Sequence, residues 1–255
     1  LNLFFGPIVN AARGVAYQVS SALQGFVSNI SIAARPQIVS SYAEGNENRA
    51  MKLMYSMSKS SFFVLYIMAV PVCLEIDYIL RLWLGNVVPE HTANFVILVI
   101  LTNFMNNLNT PISNVVFATG RIRNYEITFS VINVLIIPIA YMALKMGCPP
   151  EAAFISYFVM AVFVQVGCLC VLKNITKLSL KEYVFKLCFP LLAFALLTLP
   201  FPYIVYAIMP SGIVRLVCVT FVTILCALPI SYCITLDKGE RNFIKNLVTT
   251  KLRRK

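Results

Sequence analysis

Residues 13–35 read RGVAYQVSSALQGFVSNISIAAR, an apolar run of bilayer-spanning length crossed by a polar stripe. Arg13, Tyr17, Ser20, Ser21, Gln24, Ser28, Ser31 and Arg35 recur at steps of mostly three and four, which keeps them on one face of a helix. Such a face cannot point into lipid, where unpaired polar groups are costly. It must meet other helices or a water-filled cavity.

The rest of the chain has the same character. Of 255 residues, 59% are hydrophobic and only 12% charged, and the mean hydropathy is +0.81. Soluble domains carry about 25% charged residues, so the composition marks a membrane protein. Apolar segments predict an all-α polytopic bundle of about seven spans, at 10–36, 59–84, 92–119, 123–146, 151–173, 185–208 and 213–235. Short polar joints separate them and leave no room for a soluble domain.

The net charge of +11 does not indicate a nucleic-acid partner. Seventeen of the 21 basic residues fall on one side of the predicted topology: Arg35, Arg49, Lys52, Lys59, Arg121, Arg123, Lys173, Lys177, Lys181, Lys186 and seven in the tail. Arg13, Arg81, Lys145 and Arg215 fall on the other. The positive-inside rule makes the rich side, and with it the C-terminus, cytoplasmic. The tail 236–255 is basic, and Phe243, Ile244, Leu247, Val248 and Leu252 share one face of it. That suits a helix on an anionic leaflet as well as a solvated tail.

The opening Leu1-Asn2-Leu3-Phe4-Phe5 precedes a break at Gly6-Pro7. Residues 1–5 are expected to be the last turn of an upstream transmembrane helix, and 6–255 a C-terminal bundle of a longer protein. A complete seven-helix chain is the alternative. Asn10 is the expected N-cap of the first full helix, and Pro36 its expected end.

Three polar groups stand out. The third span carries Thr102, Asn103, Asn106, Asn107, Thr110, Ser113 and Asn114 on one face, with Pro111 expected to kink it. Singly, these asparagines suit hydrogen bonds between helices; as a stripe, they suit a cavity that binds sugar hydroxyls. In the second span Asp77 and Arg81 are spaced to pair, Tyr78 and Trp83 fit an interfacial belt, and Glu75 lies deeper with no local partner. Intramembrane carboxylates bind protons or cations often enough to make Glu75 and Asp77 candidates for ion coupling. Arg13 and Arg35 bracket the first helix, and a guanidinium fork suits phosphate, or simply snorkels.

Other chemistry finds no support. The eight cysteines sit in apolar segments without a CxxC pair, and His91 is the one histidine, so no metal site follows. No phosphate loop, catalytic triad or cofactor motif occurs, and an enzyme is not expected. The sequons at Asn29 and Asn174 read as chance.

Several runs resemble a known family. They are Phe4-Phe5-Gly6-Pro7-Ile8-Val9-Asn10-Ala11-Ala12-Arg13-Gly14-Val15-Ala16, Pro36-Gln37-Ile38-Val39-Ser40-Ser41-Tyr42-Ala43, Ile79-Leu80-Arg81-Leu82-Trp83-Leu84-Gly85 and Ala118-Thr119-Gly120-Arg121. Together they resemble the polysaccharide (O-antigen type) flippases of the multidrug/oligosaccharidyl-lipid/polysaccharide exporter superfamily, most strongly over 1–125. The resemblance implies the C-terminal half of a two-lobed bundle around a central cavity. It also implies a bacterial inner-membrane location and passage of an undecaprenyl-diphosphate-linked oligosaccharide to the periplasmic leaflet. The implied partners are that substrate, membrane lipids, an N-terminal half of the same protein, and a polysaccharide polymerase and glycosyltransferases. The substrate cavity is then expected at Arg13, Tyr17, Gln24, Ser28, Arg35, Asn103, Asn106, Asn107 and Asn114. A cation-coupled multidrug exporter of the same superfamily and a seven-helix receptor are the alternatives.

Overall fold

The computed structural model describes residues 1–85, 87–176, 178–235 and 241. Of the described residues 88% are helical, and none is in a strand. In chain order the helices are α1 (Asn2–Ala43), α2 (Glu47–Leu74), α3 (Ile76–Leu84), α4 (Thr92–Thr119), α5 (Arg123–Lys145) and α6 (Glu151–Ile175). After them come α7 (Leu180–Tyr183), a π-helical stretch (Val184–Cys188), α8 (Phe189–Thr198), α9 (Pro200–Ile208) and α10 (Ile213–Ile234).

Among the described residues six helical segments are long and apolar enough to cross a membrane: α2, α4, α5, α6, the run Leu180–Ile208 and α10. The expected seventh, α1, is 42 residues long but is not among them. Its polar stripe dilutes the apolar character that the other six keep.

Several boundaries differ from the sequence expectation. The break at Gly6 is present, with φ +78°, a conformation glycine adopts without a Cβ penalty. Helix resumes at once through Pro7, so Asn10 lies inside α1 and is not its cap. Pro tolerates the first turn after a break, where its missing N–H has no partner to lose. Pro36 likewise lies inside α1, which runs on to Ala43. Asn46 caps α2, its side chain accepting from the Arg49 N–H at 3.1 Å. The second span splits at Glu75, four residues after Pro71. Pro111 does not interrupt α4. The amphipathic face expected at Phe243, Ile244, Leu247, Val248 and Leu252 lies outside the described residues.

α4 is the central helix. It packs on α1, α2 and α6, and 61% of its span is buried. α5 packs along α6 at the edge of the bundle, and only 6% of its span is buried. α10 packs on α2, α8 and α9 on the other side. One apolar cluster joins Ala12, Ala16, Leu23, Leu65, Leu80, Phe95 and Phe154. Another joins Ile38, Met54, Ile112, Tyr125, Leu172 and Leu187 toward the arginine- and lysine-rich end. Gly167 lets α5 and α6 approach closely: a Cβ there would sit 2.9 Å from Thr128 Cγ2 and 3.2 Å from Ile132 Cδ1.

Candidate functional site

The polar stripes of α1 and α4 divide between two tasks. One part joins the helices. Asn103 Nδ2 donates to Ser20 Oγ at 2.8 Å, and Asn107 Nδ2 donates to Gln24 Oε1 at 3.2 Å. The two donors are four residues apart on α4 and the two acceptors four apart on α1, so one helical register aligns both bonds. Asn114 is buried too, with its Nδ2 3.5 Å from Met57 Sδ on α2. Asn103, Asn107, Asn114 and Gln24 therefore join helices, and they are not among the residues that line the cavities beside α1 and over α4.

The other part borders a groove. Neither α1 nor α4 packs extensively on α5, and a gap opens between α1 and the α5–α6 pair. One cavity of about 460 Å³ lies there, lined by Arg13, Tyr17, Tyr141, Phe154 and others. A second, of about 350 Å³, lies over α4 and is lined by Asn106, Asn109, Tyr125 and Glu126 among others. Asn133 and Tyr157 line both, so the two cavities adjoin.

An arginine stands toward each end. Arg13 Cζ is 5.4 Å from the Tyr17 ring centre in the first cavity. Arg35 Cζ is 5.8 Å from the ring of Phe117, which lines the second. Among the described residues neither arginine has a carboxylate partner. They are 22 positions apart, which spans about 33 Å of helix, close to the thickness of a hydrocarbon core. Ser28 is exposed on α1 but lines neither cavity, and its hydroxyl donates to Gly25 O at 2.9 Å.

The carboxylates behave differently from expectation. Glu75 is buried and has a distant partner: Arg215 on α10 donates Nε to Oε1 at 2.6 Å and Nη2 to Oε2 at 2.7 Å. Arg215 also donates Nη1 to Met209 O at 3.2 Å and stacks on Tyr206 at 4.5 Å. Both Glu75 oxygens are thus engaged by a fixed cation. The pair ties the α2–α3 break to the start of α10. Asp77 and Arg81 are both exposed and make no ion pair with each other. At helix ends facing water, a surface pair gains little over hydration.

Asn109, Tyr125, Glu126, Asn133 and Tyr157 were not singled out from the sequence. Asn133 is an amide set between Val131, Ile132, Val134 and Leu135, which is a usable signal. Asn109 falls on the α4 face beside the recognised stripe.

Fold and composition together define a multi-pass α-helical membrane protein. Comparison with protein-family models, curated proteins and solved structures finds no match.

Proposed function

We propose that the protein is a flippase of the polysaccharide branch of the multidrug/oligosaccharidyl-lipid/polysaccharide exporter superfamily. Its proposed substrate is an undecaprenyl-diphosphate-linked oligosaccharide, moved from the cytoplasmic to the periplasmic leaflet of a bacterial inner membrane by alternating access. The observation that carries this reading is the groove beside α1, whose lining includes Arg13, Asn106 and Asn133, with Arg35 against its Phe117 wall and, among the described residues, no carboxylate partner for either arginine. A diphosphate and its sugars cannot cross bare hydrocarbon at useful cost. A groove with guanidinium forks at its ends and amides between them replaces their hydration along the way. In this reading Arg13 and Arg35 meet the diphosphate, Asn106 and Asn133 meet sugar hydroxyls, and the apolar faces of α5 and α10 meet lipid.

The proposal includes a second wall. Tyr17, Gln18, Ser21 and Ser28 lie exposed along α1, a surface too polar for lipid. An N-terminal half of the same protein would cover it and close the cavity. A polymerase and glycosyltransferases belong to the same proposal as partners. Glu126 is the one observation that favours the cation-coupled drug exporter, because it places a carboxylate in an aromatic-walled cavity.

The test is complementation of a flippase-deficient strain by the full-length protein. Arg13→Ala should reduce glycan export more than Arg81→Ala, at equal membrane abundance. Normal export by Arg13→Ala would remove the groove from the substrate path.

A further inference from the structure

The cavity over α4 has an uneven hydrogen-bonding inventory. Thr110 Oγ1 donates to Asn106 O at 3.0 Å, and Ser113 Oγ donates to Thr110 O at 2.7 Å. Asn133 Nδ2 donates to Phe129 O at 2.8 Å. In each case a proton is spent on the residue's own helix, and the oxygen lone pairs remain. Asn109 is 7% exposed, lines the cavity, and its Oδ1 has no hydrogen-bond partner. That oxygen is closed off from solvent and its amide lies beside Tyr125 and Cys168, so it belongs to the packing of α4 against α5 and α6, and the open acceptors of the cavity are the Thr110, Ser113 and Asn133 oxygens.

Charge points the same way. Glu126 is the one ionised side chain in the lining, and among the described residues no basic group lies within ion-pair distance of it. Phe117, Tyr125, Phe129 and Tyr157 supply aromatic walls. Tyr125 and Phe129 stack at 6.2 Å with 12° between their planes. Aromatic faces attract cations, as does a carboxylate. The Asn106 amide and the tyrosine hydroxyls add donors for lone pairs, so the wall also suits a hydroxylated carrier.

From this juxtaposition of Glu126, the hydroxyl and amide oxygens and the aromatic walls, we infer that the cavity selects a protonated amine borne on a polyol, as in an amino sugar with an unacylated nitrogen. Glu126 is the specificity-determining residue. It pairs with the ammonium, the Thr110, Ser113 and Asn133 oxygens accept from the ligand, and the rings cover the sugar's apolar face. A neutral N-acetylated sugar loses the ionic contact, and a uronic acid meets like charge. Arg35, across the Phe117 ring, leaves room for phosphate beside the amine without occupying the cavity. The inference rests on the groove being the substrate path.

Direct binding tests it without transport. Saturation-transfer NMR on the purified full-length protein, at mildly acidic pH, would compare glucosamine, N-acetylglucosamine, glucuronate and tetraphenylphosphonium. Glucosamine should bind about fivefold more tightly than N-acetylglucosamine, and glucuronate weakest. Glu126→Gln, nearly isosteric, should abolish that preference, and Phe129→Leu should weaken glucosamine in a protein that keeps its carboxylate. Equal binding of the sugars, a preference for glucuronate, or a preference that survives Glu126→Gln would overturn the inference. Displacement of glucosamine by much lower concentrations of tetraphenylphosphonium would overturn it in favour of a drug-like cation. Absence of the preference in the unmutated protein, with intact glycan export, refutes the inference alone. A preserved preference with no export refutes the flippase reading alone.

Discussion

The two bonds between α1 and α4 separate assembly from substrate contact. Replacing Asn103 by Ala removes a 2.8 Å bond to Ser20, and replacing Asn107 removes a 3.2 Å bond to Gln24. Hydrogen bonds between membrane helices contribute about 0.6 kcal/mol on average and up to about 1.7. Asn103 and Ser20 are both buried, so their bond belongs in the upper part of that range. Gln24 is only half-buried and the bond is longer, so the Asn107 pair belongs at or below the mean. A double-mutant cycle isolates each term, provided the singles make no new contacts. The cycle Ser20→Ala with Asn103→Ala should give a coupling near 1 kcal/mol, and Gln24→Ala with Asn107→Ala about 0.5 kcal/mol or less. The assay is reversible unfolding in mixed detergent micelles, followed by helicity. Export by these variants should fall only in proportion to their abundance. Asn106→Ala, whose side chain borders the cavity, should keep normal stability and lose export. Zero coupling at Asn103, or lost export in an Asn103→Ala protein of normal stability, would refute this division of the stripe.

Three other perturbations have clear directions. Arg215→Met should lower membrane abundance more than the double substitution Glu75→Leu with Arg215→Met, because the single change strands a buried carboxylate and the double removes it; equal losses on immunoblots would show that the pair is incidental. Gly167→Val should push α5 from α6 and reduce stability by about 1–3 kcal/mol, with Thr128→Ala recovering part of it, as read by thermal unfolding in detergent. Cysteines replacing Arg123 and His91, in a background without native cysteines, should react with impermeant reagents from opposite faces of the membrane, and labelling from one face would overturn the topology.

Much of the molecule was legible from residues alone. Runs of about 20 apolar residues located α2, α4, α5, α6 and α10 because a membrane helix satisfies its backbone internally and takes its length from the bilayer. Boundaries were less legible. The resumption of helix at Pro7 instead of Asn10, and the passage of α1 through Pro36, follow from prolines that continue a helix where neighbours or water satisfy the freed carbonyls.

The amino-acid sequence by itself determined that this is a membrane protein of packed helices and that α1 and α4 carry polar faces. Those properties follow from composition and from a periodicity repeated within a few residues. Only the tertiary structure decided how the faces are used. Asn103 and Ser20 are 83 positions apart, and Glu75 and Arg215 are 140 apart. Pairing over such distances depends on the rotation and register of each helix against its neighbours, which leave no local pattern. A one-residue step along α4 separates Asn107, held by Gln24, from Asn106, which borders an open cavity. The 100° turn between successive residues on a helix produces that difference, and it becomes visible only once the neighbouring helices are in place.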